Sequence, residues 1–149
     1  MKNLVRITIS VMLAVVFSGC GSEKGKMTSE QGEDSPSLVR TKRDDGTLSS
    51  VSPVDDNGYV HGVRVNYYED GRTLHSKVTY EHGRKHGPAQ WYYKSGHLYE
   101  HTEFFYGRRH GITRRYYESG ELMEEVTYEK GEEQPGKKRF DRSGQLITD

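Results

Sequence analysis

Three histidines recur at equivalent positions of this 149-residue chain, and histidine is a common metal ligand and proton carrier near neutral pH. His61, His86 and His110 each occupy the fourth position of the pattern Gly-x-x-His-Gly. If that pattern marks equivalent turns of a β-sheet, neighbouring copies lie two strands apart, about 10 Å. Two ligands of one zinc ion must lie within roughly 4 Å of each other. The repeated histidines are therefore interpreted as turn residues, and we predict no metal site and no cofactor.

Other arrangements that could support catalysis lack their required context. His82 with His86, and His97 with His101, are four residues apart, a spacing that brings side chains together on a helix rather than in a turn or strand. We find no Ser-His-Asp arrangement, nucleophile elbow, phosphate-binding glycine loop or paired-carboxylate cleft in its usual setting. We therefore predict no catalytic residue and no enzymatic activity.

Cys20 is the single cysteine of the chain and follows a basic start, an apolar run over residues 7–17 and two small residues. This arrangement resembles a bacterial lipoprotein signal peptide. The resemblance implies a helical signal peptide over residues 1–19, cleaved before Cys20, whose sulfur then carries a diacylglycerol that anchors the protein in a membrane. An uncleaved anchor and a plain secretory signal are the alternatives, although the run is shorter than the roughly 20 apolar residues of a spanning helix.

The resemblance to a lipoprotein signal peptide implies a location in the cell envelope. Gly21 and Ser22 follow Cys20 without the Asp that retains enterobacterial lipoproteins at the inner membrane, so we expect the outer membrane where the cell has one. Residues 20–45 are polar and aperiodic, which predicts a disordered tether after the lipidated cysteine. Lys plus Arg and Asp plus Glu are equal at 22 each, and this balance argues against a nucleic-acid partner.

Glycine turns are the elements that would position the polar groups, since two series of them recur in step every 24 or 25 residues. Tight turns between antiparallel strands favour the positive φ that glycine adopts readily. Two turns per period leave two short strands, so we predict an all-β antiparallel meander, an elongated twisted single sheet over residues 46–149. The predicted turn residues are Gly58, Gly62, Gly71, Gly83, Gly87, Gly96, Gly107, Gly111 and Gly120.

Side-chain alternation predicts one apolar face. The second strand of each unit repeats Leu, Val or Thr, and an aromatic residue at spacings of four and two, as in Leu74, Val78 and Tyr80. Even spacing places these side chains on the same face. In the first unit, Pro53 is expected to interrupt the second strand.

Aromatic residues on the opposite face are the candidate binding residues. The first strand of a unit ends in a Tyr-Tyr pair, and consecutive residues point to opposite faces. Cross-strand packing between repeats is one interpretation; a protein-binding face is the other. The recurring basic turns likewise fit either a solvated surface or contact with lipid head groups. The candidate binding residues are Trp91, Tyr93, Tyr99, Phe105 and Tyr117.

Gly-x-x-His-Gly, a strand ending in Tyr-Tyr, a glycine turn and then Leu, Val and Tyr resemble the bacterial MORN-repeat variant over residues 46–149. Proteins built from this repeat are grouped as the YwqK family and labelled antitoxins of toxin-antitoxin systems. The last turn, over residues 131–136, departs from the pattern because it is one residue longer and lacks the histidine.

Three functional hypotheses follow. The leading one is a membrane-anchored, non-catalytic protein-interaction module in the bacterial envelope. The second, implied by the resemblance, is a YwqK-like antitoxin or immunity protein that neutralises a toxin. The third is a scaffold that binds lipid or cell wall. An open sheet also leaves two strand edges unpaired, through which the chain is able to dimerise.

Overall fold

The computed structural model describes residues 36–148, which form one open antiparallel sheet of eleven strands. Sequence neighbours pair throughout, except that β8 pairs with both β9 and β10. The predicted all-β meander is confirmed. The strands are β1 (Ser37–Lys42), β2 (Leu48–Val54), β3 (Gly62–Tyr67), β4 (Leu74–Glu81), β5 (Arg84–Tyr92), β6 (Leu98–Phe105), β7 (Arg108–Tyr116), β8 (Leu122–Glu129), β9 (Glu132–Glu133), β10 (Lys138–Phe140) and β11 (Leu146–Ile147).

The sheet begins earlier than the sequence suggests. β1 pairs with β2 from Ser37 opposite Val54 to Lys42 opposite Leu48, within the segment for which we predicted a disordered tether. That prediction is wrong for the residues of β1, because the ladder with β2 satisfies the backbone although all six side chains of β1 stay exposed. The predicted signal peptide, Cys20 and the tether up to residue 35 lie outside the described residues.

Pro53 does not interrupt its strand. It is a buried residue of β2, opposite Leu38 of β1. Proline lacks a backbone N–H but keeps its carbonyl, and the Pro53 carbonyl accepts a hydrogen bond from the His61 N–H at 3.0 Å. Within residues 36–148 the chain forms no helix long and apolar enough to cross a membrane.

One face of the sheet is buried, and its core is small and partly polar. Among residues 36–148, the buried hydrophobic residues of the core are Val78, Ala89 and Val126. In each repeat, one further residue lies midway between the two residues that are four apart, and even spacing places it on the same face. These residues are Ser76, Glu100 and Glu124, and all three are buried. The predicted apolar face therefore alternates apolar with polar residues.

The turns at the two ends of the strands form two rims. We call them the tyrosine rim, which carries Tyr68, Tyr93 and Tyr117, and the histidine rim, near which His61, His86 and His110 lie. The prediction of turn residues is wrong at five positions, because a two-residue turn needs only the first glycine of the Gly-x-x-His-Gly pattern. The residues that lie in strands β3, β5 and β7 instead are Gly62, His86, Gly87, His110 and Gly111. At the tyrosine rim, each unit donates a hydrogen bond to a carbonyl of the next unit. These bonds run from Arg43 to the Tyr67 carbonyl (2.7 Å), Tyr68 to Tyr92 (2.6 Å), Tyr93 to Tyr116 (2.9 Å) and Tyr117 to Phe140 (2.9 Å).

The histidine rim joins the same units through backbone bonds. The turns between β4 and β5, β6 and β7, and β8 and β9 each place a non-glycine residue and a glycine at positive φ, as type I′ hairpins require. Each turn glycine donates its N–H to a carbonyl of the preceding unit. These bonds run from Gly83 to Val60 (2.8 Å), Gly107 to Lys85 (2.7 Å) and Gly131 to Arg109 (2.9 Å).

Candidate functional site

The five aromatic residues predicted to bind a partner do not form one surface. Tyr93 and Tyr99 pack edge to face at 5.2 Å between ring centroids, at the tyrosine rim. Phe105 lies six residues beyond Tyr99 in β6, about 20 Å away at the histidine rim. Trp91 lies on the buried face, opposite Ser76 on one side and Glu100 on the other. Tyr117 returns to the tyrosine rim, so the set is divided between two rims and the core.

Tyr93 and Tyr117 have a structural role. Both are half-buried, and both hydroxyls bond to the next unit. Burial, followed by the neighbouring Tyr99, raises the pKa of Tyr93. Cross-strand packing, one of the two interpretations of the Tyr-Tyr pairs, accounts for these two rings without a partner.

Phe105 and Tyr106 form an exposed aromatic pair at the histidine rim. The two residues are 56% and 54% exposed, and their rings pack edge to face at 4.7 Å between centroids. The His86 ring supports both, at 5.2 Å from Phe105 and 4.7 Å from Tyr106. Because Tyr106 occupies the first position of a type I′ turn, with φ of 45°, its side chain is held at the tip of the hairpin.

Cations surround this pair. Arg84, Arg108 and Lys130 line the same concave surface as Phe105 and Tyr106, which encloses about 430 Å³. All three cations are exposed, and none makes an ion pair with a carboxylate of residues 36–148. We call these five residues the Phe105–Tyr106 patch. It combines aromatic area with an excess of positive charge.

Other arginines are neutralised inside the sheet. Arg109 and Arg115 each lie 2.7 Å from a carboxylate oxygen of Glu100. Arg115 also contacts Glu124 at 2.5 Å, and Lys137 lies 3.0 Å from Glu124. Burial acts to raise the pKa of Glu124, but Lys137 and Arg115 together hold it below its ordinary value. These three cations are therefore paired with the buried carboxylates of Glu100 and Glu124.

Alternation along β7 therefore separates residues that the sequence presents as basic pairs. Both arginines line the concavity, but Arg108 is exposed, whereas Arg109 is half-buried and pairs with Glu100. Tyr106 is not among the five candidate binding residues predicted from the sequence. The signal was present, since a large aromatic residue directly before a turn glycine is held at a hairpin tip.

Folding also brings together three residues from separate turn segments that the sequence analysis did not group. Ligand-capable atoms of Asp55, His61 and His82 lie within 4.8 Å of one another. His86 and His110, at the equivalent positions of later repeats, instead adjoin the Phe105 ring, at 5.2 and 6.0 Å between centroids.

Comparison with known families identifies the repeat in the centre of the sheet. Residues 85–105 and 109–130 match the MORN repeat variant. Each match covers one two-stranded unit, β5 with β6 and β7 with β8. MORN repeats are in general modules that bind proteins or membranes. No curated protein and no solved structure matches the chain significantly.

Proposed function

We propose that this chain is a non-catalytic protein-interaction module that is anchored to a membrane and binds an acidic protein segment through the Phe105–Tyr106 patch. The observation that carries the proposal is the exposed aromatic pair between three cations that lack a carboxylate partner within residues 36–148. The two adjacent MORN-variant repeats support a role in binding.

The composition of the patch is that of an interface core. Aromatic residues and arginine are enriched at the residues that dominate protein–protein binding energies. Phe105 and Tyr106 are already held by the turn and by His86, so binding costs little side-chain entropy at these positions. A partner ring or aliphatic side chain is able to enter the concavity between them and Lys130.

The positive charge of the patch favours an acidic partner. Glu129 is the one acidic residue among those that line the concavity, against Arg84, Arg108 and Lys130. An acidic segment therefore gains attraction from several cations at once, which speeds its association and makes binding sensitive to salt.

The anchor remains part of the proposal and rests on the sequence of residues 1–20. A diacylglyceryl group on Cys20 would hold the module in the cell envelope, with the outer membrane as the expected location. If the chain is an antitoxin or immunity protein, the acidic partner is a toxin encoded next to this gene. A scaffold that binds lipid or cell wall is the competing outcome.

Crosslinking and co-purification of the full-length protein from its host, followed by binding measurements with the purified partner, test the proposal. Phe105→Ser with Tyr106→Asn removes both rings, and Asn tolerates the positive φ of the turn. Arg108→Glu reverses one charge of the patch. Tyr99→Ser is the matched control, because it removes a half-buried ring of the same strand at the opposite rim.

The double substitution should weaken partner binding at least roughly tenfold, as expected for loss of interface residues that dominate affinity. Arg108→Glu should weaken binding and flatten its salt dependence, while Tyr99→Ser should leave both unchanged. A toxic partner encoded next door supports the antitoxin hypothesis, whereas recovery of lipid alone favours the scaffold. Equal binding by the double variant and the wild type would refute the assignment of the patch.

A further inference from the structure

Asp55, His61 and His82 meet at the histidine rim although they come from three separate segments of the chain. Asp55 follows β2, His61 precedes β3, and His82 lies in the turn between β4 and β5. His82 Nδ1 lies 2.8 Å from Asp55 Oδ2, and the two imidazole rings pack edge to face at 4.8 Å between centroids. One ligand-capable atom from each residue lies within 4.8 Å of the other two.

The backbone positions these three residues independently of their side chains. Asp55 Oδ1 accepts hydrogen bonds from the N–H groups of Asn57 (3.0 Å) and Tyr59 (2.9 Å), which leaves Oδ2 directed towards His82. The His61 N–H donates to the Pro53 carbonyl at 3.0 Å, and the Gly83 N–H donates to the Val60 carbonyl at 2.8 Å. The second bond ties the turn that carries His82 to the segment that carries His61.

We infer that Asp55, His61 and His82 form a binding site for a divalent transition-metal ion, with zinc as the expected occupant. Two imidazole nitrogens and one carboxylate oxygen are a donor set that zinc accepts, and they leave a fourth tetrahedral position for water or a partner's side chain. This site is separate from the Phe105–Tyr106 patch and does not depend on the function proposed for it.

The site needs a small adjustment of its side chains to hold the ion. Zinc bonds of about 2.0 to 2.1 Å place tetrahedral ligands roughly 3.3 Å apart, closer than the widest separation among the three atoms here. His61 and His82 are exposed, so their rings are able to rotate towards Asp55 without disturbing the core. The carboxylate, at 16% side-chain exposure, is the fixed member of the set.

The repeats supply matched controls. His86 and His110 occupy the position of His61 in later units, but Tyr106 and Lys130 replace His82 at the corresponding turns. A single histidine with no second imidazole beside it is a weak ligand set. The geometry thus assigns zinc binding to the first of three equivalent turns.

Isothermal titration of zinc into the full-length protein in detergent, carrying no histidine tag, tests the site. The variants are Asp55→Asn, His61→Gln and His82→Asn; the last creates an Asn-Gly turn, which suits type I′ geometry and protects the fold. His86→Gln and His110→Gln are the controls, and Cys20 is the same in every variant. NMR spectra of the imidazole nitrogens identify which rings bind the ion.

We expect one saturable site, with affinity reduced at least roughly tenfold by each of the three substitutions and unchanged in both controls. Zinc should shift the ring-nitrogen resonances of His61 and His82, and raise the thermal midpoint of the wild type but not of His61→Gln. Absence of saturable binding would overturn the inference. Equal loss of affinity in His86→Gln, or zinc shifts at His86 or His110 instead of His61 and His82, would overturn it as well.

Discussion

Glu100 provides a direct test of whether buried charges hold this sheet together. Its side chain is 6% exposed and lies 2.7 Å from both Arg109 and Arg115, which are each 27% exposed. Glu100→Gln keeps the shape of the side chain and removes its charge. Because Arg109 then loses its ion pair and Arg115 keeps only its contact with Glu124, the substitution should reduce the free energy of unfolding.

The magnitude follows from two opposing contributions. At an effective dielectric constant of about 20, each ion pair contributes roughly 4 kcal/mol of attraction at about 4 Å between charges, so two pairs give about 8 kcal/mol. The neutral side chain avoids a desolvation cost of several kcal/mol. Since the arginines are partly exposed, water is able to hydrate them after the change. We therefore expect a loss of about 3 kcal/mol, at the lower end for breaking a buried pair.

Urea unfolding of the full-length protein measures this loss. Trp91 lies opposite Glu100 and is the single tryptophan of the chain, so its fluorescence reports on the same site. Glu103→Gln is the matched control in the same strand: its carboxylate is 44% exposed and lies 3.8 Å from His101, and its loss should cost less than about 0.5 kcal/mol.

A double-mutant cycle with Arg115→Gln separates charge from packing. If Glu100 and Arg115 stabilise each other, the second substitution should cost less in the presence of the first, with a coupling of about 1 to 3 kcal/mol. A loss below about 1 kcal/mol for Glu100→Gln, equal to that of Glu103→Gln, would show that water or other residues already compensate Glu100.

Three further predictions concern the turns and rims. Gly71→Ala should destabilise the protein by more than Gly96→Ala, as measured by thermal unfolding. Both glycines have positive φ, where a side chain costs about 1 to 2 kcal/mol. Of the two, only Gly71 would also bring the new Cβ against a backbone nitrogen, 2.8 Å away. Tyr93→Phe should cost about 1 kcal/mol in urea unfolding, because it removes the hydroxyl bond to the next unit, and no change would deny that bond a role. Hydrogen bonds from the Thr73 hydroxyl and two backbone N–H groups lower the pKa of Asp70 from 3.8 to about 2. The ionised Asp70 therefore stabilises the folded protein above pH 3.8, and this contribution is lost as the pH falls through 2. An NMR titration in which Thr73→Val leaves the Asp70 pKa low would contradict this cause.

The period of the chain was sufficient to predict the architecture. Two glycine turns per unit imply two strands, and antiparallel pairing between neighbours follows because the connections are short. The side chains of Leu74, Val78 and Tyr80 were also correctly placed on a common face by their even spacing. Local rules determined these features, so no long-range contact had to be known.

The remaining features depend on contacts that local patterns do not encode. β1 has no buried side chain, so nothing in its hydrophobic pattern distinguishes it from a tether. Glu100 reads as a solvated residue until Arg109 and Arg115 are known to cover it. His61 and His82 meet because of the bond between Gly83 and Val60, which joins segments that sequence spacing treats as unrelated.

Hydrogen bonds at both rims have a consequence for how the sheet presents its surface. Each unit is fastened to the next by a side-chain bond at one rim and a backbone bond at the other, so neighbouring units cannot pivot about a single joint. Equivalent side chains therefore recur at a fixed interval of two strands, about 10 Å. A partner that binds two successive units must therefore present its own groups at the same interval. A partner whose groups are more closely or more widely spaced binds one unit and does not contact the next.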